Sequence, residues 1–107
     1  MSFQNYERAQ LAKVRNAILQ ASTTWDPAAT AATQGAEVST TIAVPGAAVG
    51  DCVLVGHTGF LGAVAAELEG VVSAADTVKV RVINTTAVAV DVPSGTLRVT
   101  VFKTIPA

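Results

Sequence analysis

The strongest constraint on this chain is the alternation of β-branched residues with polar or small ones along several segments. Over residues 38–44 the apolar or β-branched side chains fall on the even positions, and the same period of two recurs over 77–82 and 97–101. Successive side chains of a β-strand point to opposite faces, so this period gives each segment one apolar face. The pattern predicts three strands that each bury one face in a core.

Shorter apolar runs at 52–55 and 71–73 predict two further strands, and 87–92 predicts a weaker one. Turn-forming residues separate these runs, with Pro45-Gly46 typical of a type II turn and 73–76 typical of a hairpin connection. Strands at this spacing indicate a mainly β fold, an antiparallel β-sandwich of about six to eight strands with a jelly-roll-like or Greek key topology.

The first twenty residues have a different pattern. Leu11, Val14 and Ile18 lie on one stripe of a helix, with Ala21 one turn further on, among helix-forming polar residues. The spacing predicts an amphipathic α-helix that serves as an anchor over 1–21, followed by the β-sandwich domain over 22–107. A helix of this length is marginal alone in water, so we expect it to pack on its own domain, on copies of itself or on a partner.

The composition excludes several classes of protein. Half of the residues are hydrophobic, only 14% are charged and the formal net charge is −1, which excludes a disordered chain and gives no basic surface for nucleic acid. No apolar run is long enough to span a membrane, and the charged N-terminus does not resemble a secretory signal. With one Cys and one His, the sequence predicts no disulfide framework, no metal site and no cofactor.

Charge is distributed unevenly along the chain. Residues 21–76 contain six acidic residues and no Lys or Arg, whereas the first twenty residues and residues 77–107 are net positive. The segregation fits either an oligomer in which basic surface meets acidic surface, or a fold that simply brings the segments side by side.

Few residues have the pattern of a catalytic site. His57 lies between glycines, and with Cys52 and Asp51 it could form a nucleophile set, but an apolar strand position usually holds an inert buried thiol. Glu67 and Glu69 would share one face of a strand, as an acid/base or Ca²⁺ pair or, more simply, as exposed acidic side chains. The residues therefore predict a protein that is not an enzyme.

Two aromatic positions have more than one interpretation. Trp25 could stack on a sugar or peptide, or could anchor the Ala/Thr-rich loop that follows it onto the sandwich. Phe60 and Leu61, between glycines in a predicted loop, could contact another chain or pack inward. The candidate assembly interface consists of Leu11, Val14, Ile18, Phe60 and Leu61.

Four segments follow one another in a specific order along the chain: 24–28 (TWDPA), 39–51 (STTIAVPGAAVGD), 72–80 (VSAADTVKV) and 94–99 (SGTLRV). Together, over about residues 22–103, they resemble a family of small β-rich virion structural proteins of tailed bacteriophages and prophages. The family has no catalytic residues to transfer. The resemblance implies a component of the phage head or of a fibre.

From this resemblance we expect a capsid decoration, or cement, protein that is made in the host cytoplasm and resides on the capsid surface. Its partners would be the major capsid protein and itself, as a homo-oligomer and preferably a trimer, with no nucleic acid or membrane involved. The alternative is a fibre- or tail-associated receptor-binding module, which needs exposed aromatic residues that this chain has few of: 5% of its residues.

Overall fold

The computed structural model describes residues 17–60 and 65–103, and this part of the chain is mainly β. It contains six strands: β1 (Ile18–Trp25), β2 (Glu37–Ala43), β3 (Cys52–His57), β4 (Ala66–Ala74), β5 (Thr77–Asn84) and β6 (Gly95–Phe102). They form two antiparallel three-stranded sheets, of order β1-β6-β3 and β2-β5-β4. The predicted sandwich class agrees with this arrangement, because the inner faces of both sheets share one core.

The core is built mainly from valine. The central strands supply its most buried members, such as Val78 and Val80 of β5 and Leu97 and Val101 of β6, each with no exposed surface. Alternate residues of each strand point inward, so the period of two in the sequence becomes a continuous apolar layer between the sheets. Small side chains let the sheets approach closely, since a Cβ added to Gly70 of β4 would collide with the Val55 side chain of β3.

The prediction of a helix over 1–21 is wrong for its last residues, because Ile18–Trp25 form strand β1. Leu19 and Ala21 pair with Val101 and Val99 of β6 and pack against the core. This pairing overrides the helical spacing of Ile18 with residues further upstream. The sheet therefore begins before residue 22, and the predicted helix over 1–16, with Leu11 and Val14, lies outside the described residues.

Two turns are joined at one end of the β2-β5-β4 sheet. Asp76, with a φ of 61°, closes the β4–β5 hairpin, and its carboxylate accepts a hydrogen bond from Gly46 N at 2.7 Å. Its backbone N–H donates to Ala47 O, while Val44 N donates to Asp76 O, both at 2.9 Å. Gly46 itself has a φ of 94°, as the predicted Pro-Gly turn requires.

Asn84, at the end of β5, holds two long connections together. Its buried side-chain amide donates to Thr30 Oγ1, Ala31 O and Val88 O, at 3.0, 3.1 and 2.8 Å. Its Oδ1 accepts hydrogen bonds from the N–H and the hydroxyl of Thr86. The segment after β5 is thus held by side chains, and the strand predicted over 87–92 does not form.

Candidate functional site

His57, the most plausible catalytic residue in the sequence, is held in place by hydrogen bonds within the protein. Its ring is 7% exposed, and Gly59 N donates to its Nδ1 at 3.0 Å. Since Nδ1 accepts, Nε2 carries the proton and donates to Trp25 O at 2.9 Å. Both ring nitrogens are therefore already used within the protein. Cys52 lies at the other end of β3 and is exposed, so no Cys–His pair exists.

Two glycines and two aromatic rings enclose His57. A Cβ added to Gly59 would lie 2.9 Å from His57 Cε1 and 2.5 Å from Pro93 O, and one added to Gly95 would also meet the ring. Trp25 and Phe60 each contact the imidazole edge to face, with ring centroids 5.9 and 6.1 Å away. Trp25 therefore packs at this end of the sheet, against His57 and the core.

The outer face of the β2-β5-β4 sheet carries a cluster of ion-paired side chains and, beside it, Val71, which is 45% exposed. Arg81, at the centre of β5, is ion-paired with Glu37 of β2 at 3.2 Å and with Glu69 of β4. The hydrogen bond to Glu69 is the main reason why the pKa of Arg81 is raised above its usual value. Glu67 is exposed on the same face, as the interpretation of Glu67 and Glu69 as an exposed acidic face predicts.

A third ion pair, between Lys103 and Asp51, also joins an acidic segment to a basic one. Lys103 Nζ donates to Asp51 Oδ2 at 2.9 Å and to Gly46 O at 2.8 Å. Together with the pairs of Arg81, this contact shows that folding brings these oppositely charged segments side by side within one chain. For these residues, the interpretation that the fold itself brings acidic and basic segments side by side is confirmed.

The contact with Lys103 lowers the pKa of Asp51 below its ordinary value of 3.8. A carboxyl with a lower pKa in the folded state stabilises the fold above its unfolded-state pKa and loses that contribution as the pH falls through and below it. We expect the urea midpoint of the wild type to fall below about pH 4 more steeply than that of Asp51→Asn. Asp26→Asn, at an exposed acid, is the control and should follow the wild type; parallel curves for all three proteins would contradict the expectation.

The outer face of the β1-β6-β3 sheet, in contrast, is apolar at one end. Ile18 of β1, Phe102 of β6 and Cys52 of β3 lie side by side in register, and Leu54 follows on β3. Ile18 and Phe102 are each 39% exposed and Leu54 is 63% exposed. These four residues form the apolar patch. Exposed apolar side chains grouped in this way are typical of a surface that contacts another molecule.

The apolar patch continues into a shallow polar groove on the same face. The groove has a volume of about 450 Å³ and is lined by Gln20, Ala21, Ser22, Arg98, Val99 and Thr100. Arg98 has no ion-pair partner among residues 17–60 and 65–103. The face therefore offers apolar area at one end and a guanidinium able to bind a carboxylate at the other.

The structure describes two of the five predicted interface residues, Ile18 and Phe60, and these two lie at opposite ends of the β1-β6-β3 sheet. Ile18 belongs to the apolar patch, whereas Phe60 follows the opposite end of β3 and is half-buried against His57. Leu11, Val14 and Leu61 lie outside the described residues. Sequence reasoning missed Leu54 and Phe102. Phe102 continues the outward positions of the alternation at 97–101, whereas 52–55 is apolar at every position, so its pattern does not show that Leu54 faces outward.

The described part of the chain has no group of three or more His, Cys, Asp or Glu placed to hold a metal ion. Within the same residues, no helix is long and apolar enough to cross a membrane. Comparisons with protein-family models, with curated proteins and with solved structures found no match. The argument for function therefore depends on the residues and on the surface they form.

Proposed function

We propose that this chain is a bacteriophage capsid decoration protein, which binds the outside of the assembled head as a homo-oligomer and stabilises it by bridging capsid subunits. The observation that carries its binding role is the apolar patch of Ile18, Phe102, Cys52 and Leu54. The sequence resemblance to small β-rich virion proteins of the head or of fibres supports the shell as the partner. The N-terminal segment 1–16, with Leu11 and Val14 on a predicted helical stripe, would supply a second anchor.

The contrast between the two outer faces supports this proposal. On the β2-β5-β4 face, Arg81 pairs with Glu37 and Glu69 within the chain, so these three charges gain little from a partner. The β1-β6-β3 face leaves apolar area in water, which association would remove at a gain of roughly 25 cal/mol per Å². A part that binds only the assembled shell also stabilises that shell by mass action.

The two substitutions Leu54→Ser and Phe102→Ser should each weaken binding to empty heads by about ten-fold, because each removes roughly 1–2 kcal/mol of buried apolar contact. Binding is measured by co-sedimentation with heads that lack the protein, and shell stability by resistance to heat. Val88→Ser is the matched control, since Val88 is 71% exposed outside the patch.

Equal binding by all three variants would exclude the apolar patch as the docking surface. Undiminished heat and osmotic resistance of heads lacking the protein would exclude the stabilising role. The fibre or tail alternative is separated by labelling in micrographs, which would place the protein at a few sites on the fibres instead of many sites over the shell.

A further inference from the structure

We propose that the free edge of strand β1 pairs antiparallel with β1 of a second copy, so that two β1-β6-β3 sheets become one six-stranded sheet. The inference deepens the homo-oligomer part of the proposed function and rests on it, but its test requires no capsid. It replaces the trimer expected from the sequence with a two-fold dimer.

Strand β1 is the least protected of the four sheet edges. Its eight residues, ILQASTTW, include no charged residue, no proline and no glycine, and its register with β6 is unbroken. Strand β2 carries Glu37, and β4 carries two glutamates and a bulge; β3 has none of these features but is shorter, with six residues against the eight of β1. Natural proteins protect sheet edges with charges, prolines and bulges, so an edge lacking all of them is suited to strand pairing.

The ladder to β6 determines which backbone groups of β1 remain free. Lys103 N donates to Ala17 O at 2.7 Å, which extends the register of β1 and β6 by one residue. Hydrogen-bonding positions alternate along an antiparallel pair, so the odd residues of β1 point their N–H and C=O groups toward β6. The even residues point theirs away: Ile18, Gln20, Ser22 and Thr24. No strand of the described part of the chain pairs with this side.

Strand β3, at the other edge of the same sheet, has fewer free backbone groups. Thr58 N donates to Thr96 O, so the even residues of β3 face β6 and only Val53, Val55 and His57 point outward. The carbonyl of His57 already accepts a bond from Phe60 N at 3.1 Å. β1 is therefore the longer free edge of this sheet.

Self-pairing of β1 has one register that uses all four outward residues. With Ala21 on the two-fold axis, Gln20 lies opposite the partner's Ser22, and Ile18 lies opposite the partner's Thr24. These pairs supply about eight backbone hydrogen bonds. Ala21 meets its own copy at a non-hydrogen-bonded position, where the strands are closest and a small side chain fits best.

The pairing also explains how one protein could bridge two shell subunits. Paired residues of a sheet project to the same face, so the outer faces of both copies lie on one side of the joined sheet. The two apolar patches then lie at opposite ends of one surface and can engage two neighbouring sites. Double engagement raises the effective affinity without any new contact within either site.

The test is the oligomeric state of the full chain in isolation, measured by sedimentation equilibrium over a wide concentration range. The wild type should be a dimer. Ser22→Pro should weaken the dimer at least about ten-fold, because it removes an outward N–H that the β6 ladder does not use. Far-UV circular dichroism and a thermal melt establish that each variant is folded.

A pair of double variants tests the register independently of proline. Gln20→Glu with Ser22→Glu places like charges opposite each other and should give a monomer. Gln20→Lys with Ser22→Glu places opposite charges there and should remain a dimer. Position 22 pairs with Arg98 and carries the same Ser22→Glu change in both variants, so any contact with Arg98 is the same in the two proteins.

A wild type that is monomeric or trimeric would overturn the proposal, as would a dimer that both Ser22→Pro and the double-glutamate variant leave intact. Loss of the dimer in both double variants would overturn the register. Failure of head binding with an intact dimer would refute the docking proposal alone, which keeps the two inferences separate.

Discussion

Replacement of Asn84 by Asp is expected to lower the free energy of unfolding by about 3 kcal/mol or more, the largest effect of any single change considered for this protein. The amide nitrogen of Asn84 faces three acceptors: Thr30 Oγ1, Ala31 O and Val88 O. A carboxylate would place an acceptor against these acceptors in a side chain that is 1% exposed. The change removes both donors and adds a buried charge.

The measurement is chemical denaturation of the wild type and of two variants. Gln34→Glu makes the same amide-to-acid change at an exposed position and should cost less than about 0.5 kcal/mol. The defect of Asn84→Asp should be smaller at about pH 4 than at about pH 8, because a protonated carboxyl regains one donor. A loss below about 1 kcal/mol at neutral pH would contradict the role assigned to this amide.

Replacement of His57 by Ala is expected to cost about 3 kcal/mol of stability. The substitution removes two hydrogen bonds and a ring that packs between Trp25, Phe60 and two glycines. Trp25 O and Gly59 N then lose their partners in a partly or fully buried site, and the space once filled by the imidazole becomes a cavity.

Two conservative variants separate the functions of the two ring nitrogens. His57→Asn retains an acceptor near Nδ1 for Gly59 N, and His57→Gln retains a donor near Nε2 for Trp25 O. Each should cost about 1–2 kcal/mol, less than the alanine variant. If His57→Ala were as stable as the wild type but lost head binding or another measured activity, His57 would be functional and not structural.

The strands that sequence analysis predicted best are those whose alternation is strong on both faces. β2, β5 and β6 combine β-branched residues at inward positions with polar or charged ones at outward positions, so their period leaves little ambiguity. The apolar run at 71–73 predicts only the second half of β4, because Glu67 and Glu69 interrupt the apolar pattern before it; these two residues occupy outward positions, as the predicted acidic strand face requires.

Tertiary contacts decided the elements that the sequence left ambiguous. Ile18 fits both a helical stripe and a strand, and pairing with β6 selects the strand. The segment 87–92 has the composition of a strand. However, Val90 N donates to Thr30 Oγ1 and Thr30 N donates to Val90 O, so this segment bonds to the connection between β1 and β2 and not to a strand. The periodicity of a short segment does not show which distant residues will pair with it.

The candidate site was the part least accessible from sequence. Leu54 and Phe102 matter because of the face on which they lie, and that face is defined only when the core side of each strand is known. The resemblance expected from the sequence would imply a partner but no surface. The structure contributes the surface, through the registration of three strands that are far apart in the chain.

The hydrogen bond between Lys103 and Ala17 has a consequence for how this protein can be labelled. It holds the start of β1 and the end of β6 together at one corner of the sheet, beside Ile18 and Phe102 of the apolar patch. A fluorophore or fusion partner attached near either of these strand ends would stand next to that patch and obstruct docking. The connection near exposed Thr85, at the far end of the neighbouring sheet, is the better position for a reporter.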